Sequence, residues 1–319
     1  MSFATADVSV IIATHNRETL VTEAIDSVLA QSTKVREIIV VDDGSTDNTR
    51  SRLSHYGSRI RAFFQPNQGA SRARNYGISE ARGRWIAFLD DDDVWLREKI
   101  ERQMQLARQE PNLQLIYCSD HAVDEQLQFR RTRHASHGNR GDVFEKLLVQ
   151  NFIFTSCVIA RRDAIEQAGL MDPSLKFGED WDLWLRIAAR HSVDFVPEPL
   201  VLYRQSTTGC LTRDTKAVDR LSAMQVILER ALTLRNVSSE TARRARYNLE
   251  REWTANLLTE GDNYKAFTHS LRAIGSSPSK IEGYRLLAYS LTPSAAREFG
   301  RRLLRRGASP QADDRGGDN

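Results

Sequence analysis

The amino-acid sequence predicts an α/β fold: a mostly parallel, Rossmann-like sheet flanked by helices, followed by a helical C-terminal extension. Three observations predict it. Short β-branched or apolar runs alternate with helical patterns through the first hundred residues. Two of those runs end in acidic loops, at Asp42-Asp43 and at Asp90 to Asp93. From Thr215 onward apolar residues recur at helical spacing with few strand signals.

The elements follow in order. Val8 to Ala13 is a buried strand, and Glu18 to Gln31 a helix with Val21, Ala24, Ile25, Val28 and Leu29 on its apolar face. Glu37 to Val41 is the second strand, and Ser45 or Thr46 caps a helix reaching about Leu53. Ile60 to Phe64 is the third strand, Ser71 to Ala81 a helix, and Trp85 to Leu89 the fourth strand. Val94 to Arg108 reads as a helix, Leu115 to Cys118 as a strand, and Asp120 to Asp142 as a polar, His- and Arg-rich surface hairpin or loop. Phe152 to Ala160 is a strand containing Thr155 and Ser156, and Arg162 to Ala168 is a short helix. In the helix opening at Glu179-Asp180, Trp181, Trp184, Leu185 and Ala188 share an inward face. The C-terminal part shows Leu221, Met224, Ile227 and Leu228, then helices over Tyr264 to Ile274 and Ile281 to Leu291. Arg297, Arg301, Arg302, Arg305 and Arg306 around Phe299, Leu303 and Leu304 form a basic amphipathic helix. It is either solvated or suited to an anionic membrane surface. Gly307 to Asn319 is a polar, Gly-rich tail expected to be disordered.

Composition narrows the function classes. The 319 residues suffice for one large domain or two smaller ones. With 45 basic against 42 acidic residues, the net charge of +3 is too even to imply a nucleic-acid partner. Cys118, Cys157 and Cys210 are scattered and match no ligand spacing, as in a reducing compartment. Met1 to Asp7 is short and polar, and no run approaches the roughly 18 apolar residues of a membrane span. The expectation is a cytoplasmic chain that does not span the membrane.

Asp90-Asp91-Asp92-Asp93 is the chemically loaded stretch. Four like charges repel unless a cation neutralises them or water screens them. At the carboxyl end of a strand they stand where open α/β sheets bind ligands. One or two carboxylates completed by substrate phosphates suit Mg²⁺ or Mn²⁺. The other reading is a solvated acidic turn capping the next helix. The turn after the first strand, Ala13-Thr14-His15-Asn16, has no glycine, so the dinucleotide fingerprint is missing, which argues against a nicotinamide or flavin cofactor. The G-x-x-x-x-G-K-[ST] phosphate loop is also missing.

The ordered set V-S-V-I-I-A-T-H-N, V-V-D-D-G-S-T-D, N-Q-G-A-S-R-A-R-N and W-I-A-F-L-D-D-D-D resembles glycosyltransferase family 2 over roughly the first hundred residues. The resemblance implies the GT-A fold and an inverting transfer of sugar from a nucleotide-sugar, most simply a UDP-sugar. It places a GT-A catalytic domain at residues 1–212, with a nucleotide-sugar-binding half at 1–110 and an acceptor-binding half at 111–212. Residues 213–306 are then the helical region and 307–319 the tail. By the same resemblance Ala13, Thr14, His15 and Asn16 wall the nucleotide base. Asp43 accepts from the base N–H, and Asp42 orients its loop. Arg72 or Arg74 reaches the diphosphate or the sugar, or lies on an exposed helix face. Asp90 and Asp92 are the paired D-x-D positions, with Asp91 near the ribose and Asp92 matching the metal ligand, although the run leaves the register open by one residue. G-E-D-W-D-L-W matches the E-D motif, making Asp180 the general base with Glu179 and Trp181 beside the acceptor. Thr155 and Ser156 line the acceptor pocket, and residues 120–142 are either a plain hairpin or a flap over it.

The family often carries Y-R-x-H after that helix. Here the segment is Tyr203-Arg204-Gln205-Ser206, so a poor ligand stands at the His position and Arg204 or water substitutes. The partners implied are a nucleotide-sugar donor, a divalent metal and a saccharide or lipid-linked saccharide acceptor in surface polysaccharide synthesis. The site of action implied is the inner face of the plasma membrane, where the chain would be peripheral. Two rivals are a non-catalytic sugar-nucleotide-binding or scaffold protein and a nucleotidyltransferase. The latter wants a Gly-rich basic phosphate loop after the first strand, which is missing.

Overall fold

A computed structural model describes residues 5–133, 138–205 and 215–292. The chain divides into two compact units, Met1–Ser238 and Ser239–Asn319.

The first unit is built on a nine-stranded sheet. Strands β1 (Ala6–Thr14), β2 (Val35–Asp42), β3 (Arg61–Phe64) and β4 (Trp85–Phe88) pair in parallel, in the order 3-2-1-4. Helices α1 (Leu20–Leu29), α2 (Thr49–Ser54) and α3 (Ala70–Glu80) connect them. The chain winds outward from β1 to β3 and then returns to the other side of β1. That reversal opens a crevice at the carboxyl ends of β1 and β4, where ligands bind in such sheets.

The second half of the sheet is mixed, which limits the parallel pattern expected from sequence to the first half. β5 (Val94–Trp95), β6 (Leu115–Val123), β7 (Phe129–Arg133), β8 (Ile159–Arg161) and β9 (Val193–Arg204) complete it. β8 runs antiparallel to both β4 and β6, while β6 and β9 are parallel. β6 and β7 form an antiparallel hairpin in the polar segment. Helices α4 (Lys99–Gln109), α5 (Phe144–Val149), α6 (Arg162–Ala168), α7 (Glu179–Ala188) and α8 (Ala217–Leu234) cover it.

Three local expectations are corrected by tertiary partners. Val94-Trp95 is strand rather than helix: it pairs with β9, and Trp95 donates its backbone N–H to Ser27 Oγ and its indole N–H to Ser156 O. The residues from Phe152 do not run as one strand, because Thr155–Cys157 is a 3₁₀ turn whose two hydroxyls serve aspartates. Neither Ser45 nor Thr46 caps α2. Both contact Asn16, and Asp47 accepts from the backbone of Glu18 and Thr49 instead.

The core follows the predicted faces. Val8, Val10 and Ile12 of β1 pack with Val21, Ala24, Ile25 and Val28 of α1, all fully buried or nearly so. Trp181, Trp184, Leu185 and Ala188 are buried as their spacing requires. The second unit has its own small core of Leu257, Leu258, Ala266 and Leu286. It is formed by α9 (Ser239–Glu260), α10 (Asn263–Ser276) and α11 (Ile281–Ser290). Among the described residues no helix is long and apolar enough to cross a membrane. Ser206, His134, His137, Cys210, the basic stretch 297–306 and the tail 307–319 lie outside the described residues.

Candidate active site

One wall of the candidate site is assembled at the ends of β1 and β2. Asn16 adopts a left-handed backbone (φ 53°), a conformation Asn tolerates better than most residues. Its Oδ1 accepts from Thr46 N at 2.7 Å and its N–H donates to Ser45 Oγ at 2.8 Å. The exposed His15 ring is fixed as well. Nδ1 lies 2.9 Å from the Asp43 carbonyl, which can only accept, so Nδ1 carries the proton and Nε2 accepts from Asn67 Nδ2 at 3.2 Å. Thr14 is buried and Ala13 half-buried behind them.

The two aspartates that end β2 both order their own surroundings. Asp42 Oδ1 accepts from Ser45 N at 2.9 Å. The Asp43 carboxylate accepts from Gln65 Nε2 and from the backbone N–H groups of Gln68 and Gly69, at 2.7 to 2.8 Å. Asp43 thus fixes the loop that launches α3, a role the motif alone does not reveal.

The aspartate run follows β4, and its four members have different surroundings. Asp93 is buried: Ser156 Oγ donates to it at 2.5 Å and Arg204 N at 2.8 Å. Ser156 also accepts from Asp90 N at 3.1 Å, so its hydroxyl braces the run and does not face an acceptor pocket. Asp90 is paired with Arg74 at 2.6 Å. Asp91 and Asp92 are half-buried among these charges. Burial, then the charge of Asp92, pushes Asp91 up to about 7. Burial, then the charge of Asp90, raises Asp92, with Arg17 and Arg204 pulling the other way. Burial and the charges of Asp92 and Asp90 raise Asp93 well above the ordinary range. Burial, with the mutual repulsion of neighbouring carboxylates second, therefore sets the proton affinity of the run.

Arg204 braces the run from β9. Its side chain is nearly buried; Nε donates to Asp92 O at 2.8 Å, Nη2 pairs with Glu23 at 2.5 Å, and Nη1 donates to Glu125 O. Arg17 is absent from the site residues expected from sequence, and its only signal is a cation one residue past T-H-N; Arg204, expected to substitute at the His position, instead braces the aspartate run.

The opposite wall is the start of α7. Gly178, at φ 74°, turns the chain sharply into the helix, and an added Cβ would sit 2.9 Å from Ile227 Cδ1. Asp180 follows, partly exposed, accepting from Thr155 Oγ1 at 2.9 Å and from Trp181 N at 2.6 Å. Burial, then the neighbouring charge of Glu179, lifts its carboxyl to about 7. Glu179 itself is buried and paired with Arg74 at 2.7 Å. Trp181 turns its indole inward to donate to Leu147 O at 2.8 Å, so it belongs to the core and not to an acceptor surface.

Of the two arginines on α3, Arg72 is exposed, whereas Arg74 is held between Asp90 and Glu179 with a side chain only 11% exposed. The structure therefore brings together Asp90, Asp91, Asp92, Arg74, Glu179, Asp180 and Thr155, and leaves Arg72 at the surface. Among the described residues no group of three His, Cys, Asp or Glu side chains is arranged to hold a metal by itself.

The profile of glycosyl transferase family 2 matches residues 9–169. An uncharacterized glycosyltransferase of Rickettsia typhi is 34% identical over 201 residues, which span 62% of this chain and 63% of that protein. For the similar Rickettsia felis protein the matched stretch is 33% of its length, so the chain spans less than two thirds of these relatives. A putative teichuronic acid biosynthesis glycosyltransferase, TuaG of Bacillus subtilis, is 42% identical over 102 residues, 31% of this chain and 40% of that one. Among solved structures, S. aureus TarS 1-349 in complex with UDP superimposes with a TM-score of 0.66 at 15% identity, covering 95% of this chain and 93% of that one. The mannosyltransferase PcManGT of Pyrobaculum calidifontis, in complex with GDP-Man and Mn²⁺, gives 0.52 at 17% identity, covering 94% and 90%. The mixed sheet with its flanking helices is the GT-A fold, and the chain belongs to glycosyltransferase family 2.

Proposed function

We propose that the chain transfers a sugar from a UDP-sugar to a hydroxyl of a saccharide or lipid-linked saccharide, with inversion at the anomeric carbon, in surface polysaccharide synthesis. The observation that carries this reading is the position of Asp180. It is a partly exposed carboxylate raised to about 7, aimed by Thr155 and joined through Glu179 and Arg74 to the aspartate run. A general base works best with a pKa near the operating pH, and this one has it.

The donor set fits a divalent metal. Asp92 offers a partly exposed carboxylate beside Asp90 and Asp91, and Mg²⁺ or Mn²⁺ takes one or two protein carboxylates with the remainder from phosphates and water. Asp92 would hold the ion, which when bound would supply charge stabilisation for the departing nucleoside diphosphate. Ala13 to Asn16 flank the base, while Asp90 and Asp91 face the donor from the end of β4. The acceptor hydroxyl gives its proton to Asp180 as its oxygen attacks the anomeric carbon. Single displacement from the opposite face inverts that carbon. UDP, UDP-GlcNAc and Mn²⁺ in the similar TarS and PcManGT structures support the donor and metal classes, and the name of TuaG supports a polymer of the cell surface. The proposed peripheral placement on an anionic membrane surface is supported by the basic pattern at 297–306.

Replacing Asp180 by Asn is expected to lower transfer by about 10²–10⁴ while UDP binding persists. Asp92→Ala is expected to abolish the Mn²⁺-dependent part of UDP binding in titration calorimetry. An Asp92→Ala protein that binds UDP with undiminished metal dependence would contradict the ligand assignment.

A further inference from the structure

α3 is placed to hold the two walls of the site at a set distance. It lies close against the sheet: a Cβ on Gly77 would meet Ile11 Cγ2 at 2.7 Å, so only glycine permits this approach to β1. From that platform Asn75 grips the segment leading toward α7. Its Nδ2 donates to Met171 O at 2.7 Å and its Oδ1 accepts from Met171 N at 3.0 Å. One residue earlier, the Arg74 guanidinium divides its fork. Nη2 reaches Asp90 of the donor run at 2.6 Å, and Nη1 reaches Glu179, next to the base, at 2.7 Å. These two carboxylates are 89 residues apart in sequence (179 − 90), on different elements, and one side chain joins them.

We propose that Arg74 is a positioning residue that fixes the separation between the donor-side aspartate run and the base-bearing end of α7 through its paired contacts to Asp90 and Glu179. The geometry needs arginine, because two nitrogens of one rigid plane meet two carboxylates at once. A lysine ammonium is a point charge on a flexible stem and cannot span them in the same fixed way. These contacts, one from each Nη, seat the guanidinium between Asp90 and Glu179. A misplacement of reacting groups by about 1 Å can cost about a hundredfold in rate without loss of binding. Arg74 would therefore act on turnover and not on donor affinity.

This inference rests on the proposed sugar transfer, and the experiment separates the two. Initial rates of UDP-sugar turnover with Mn²⁺ are compared for the parent, Arg74→Met, Arg74→Lys and Glu179→Gln, with thermal melts to establish folding. Arg74→Met is expected to lose about a hundredfold in kcat with donor KM changed less than about threefold, and Arg74→Lys to recover part of that loss. Removing a buried cation from between two carboxylates can unfold the chain. Glu179→Gln, which keeps shape and removes one prong only, then carries the test, with the same fall in kcat at steady KM expected. Parental kcat in both Arg74→Lys and Glu179→Gln overturns the inference alone. A raised KM with unchanged kcat also overturns it, because Arg74 would then contact the donor. A parent that turns over no nucleotide-sugar removes the functional reading and this inference with it.

Discussion

Asp180 carries a testable signature in its surroundings. Burial and Glu179 lift it to about 7, so the carboxylate needed to accept a proton is the minor form below that pH. The rate at low acceptor concentration is expected to rise with pH through about 7 and then level off, and Asp180→Asn should remove that limb. The same shift bears on stability, with the opposite sign from an ordinary salt-bridged aspartate. The folded state holds the proton more tightly than the unfolded chain, so stability falls as pH rises from about 4 through about 7. Asp180→Asn is thus expected to melt at a higher temperature than the parent at pH 8, with the gap narrowing as the pH falls and closing near pH 4. A lower melting temperature at pH 8 would show that the charged form is well accommodated. At this scale the sequence was legible where chemistry is local. The D-D-D-D run and E-D pair announce themselves by charge alone, but the division of labour inside the run does not. Asp93 is spoken for by Ser156 and the Arg204 backbone, from 63 and 111 residues away, and no spacing rule reports such partners.

Among the elements, α3 and α7 decide the geometry, and each depends on one glycine. Gly178 combines positive φ with a close neighbour on α8, so Gly178→Ala is expected to destabilise the protein by about 1–3 kcal/mol and to tilt the start of α7. Chemical denaturation gives the first quantity, and a fall in turnover with UDP binding retained gives the second. Helices with a strong apolar face, such as α1 and α7, were readable from periodicity because burial and spacing agree. β5 departs from the helix expected there because Val94-Trp95 is two residues long and is made strand by β9, more than a hundred residues away. α5 went unassigned because its apolar run is a single short stretch. Mixed pairing at β8 is likewise a property of which strands meet, and that information is not local. The family resemblance supplied the fold where periodicity could only suggest a layered α/β sheet.

For the molecule as a whole, the first unit holds the entire sheet and every residue assigned to the site, while the second has a separate core. A fragment of residues 1–238 is therefore expected to fold and to bind UDP with Mn²⁺ as the full chain does; failure to fold would show that the helical unit completes the first. α8 stays with the first unit through Arg230, which pairs with Asp182 and Asp172 at 2.9 Å. In the proposed reaction the donor lies at the ends of β1, β2 and β4 and the base on α7, and Asp180 takes the acceptor proton in a single inverting displacement. The most direct measurement follows one round of transfer from a UDP-sugar of defined anomeric configuration by proton NMR, in the parent and in Asp180→Asn. Product of inverted configuration is expected from the parent, and formation slowed by about 10² or more in a variant that still binds UDP. Retained configuration, or transfer by Asp180→Asn at the parental rate, would contradict the proposed reaction.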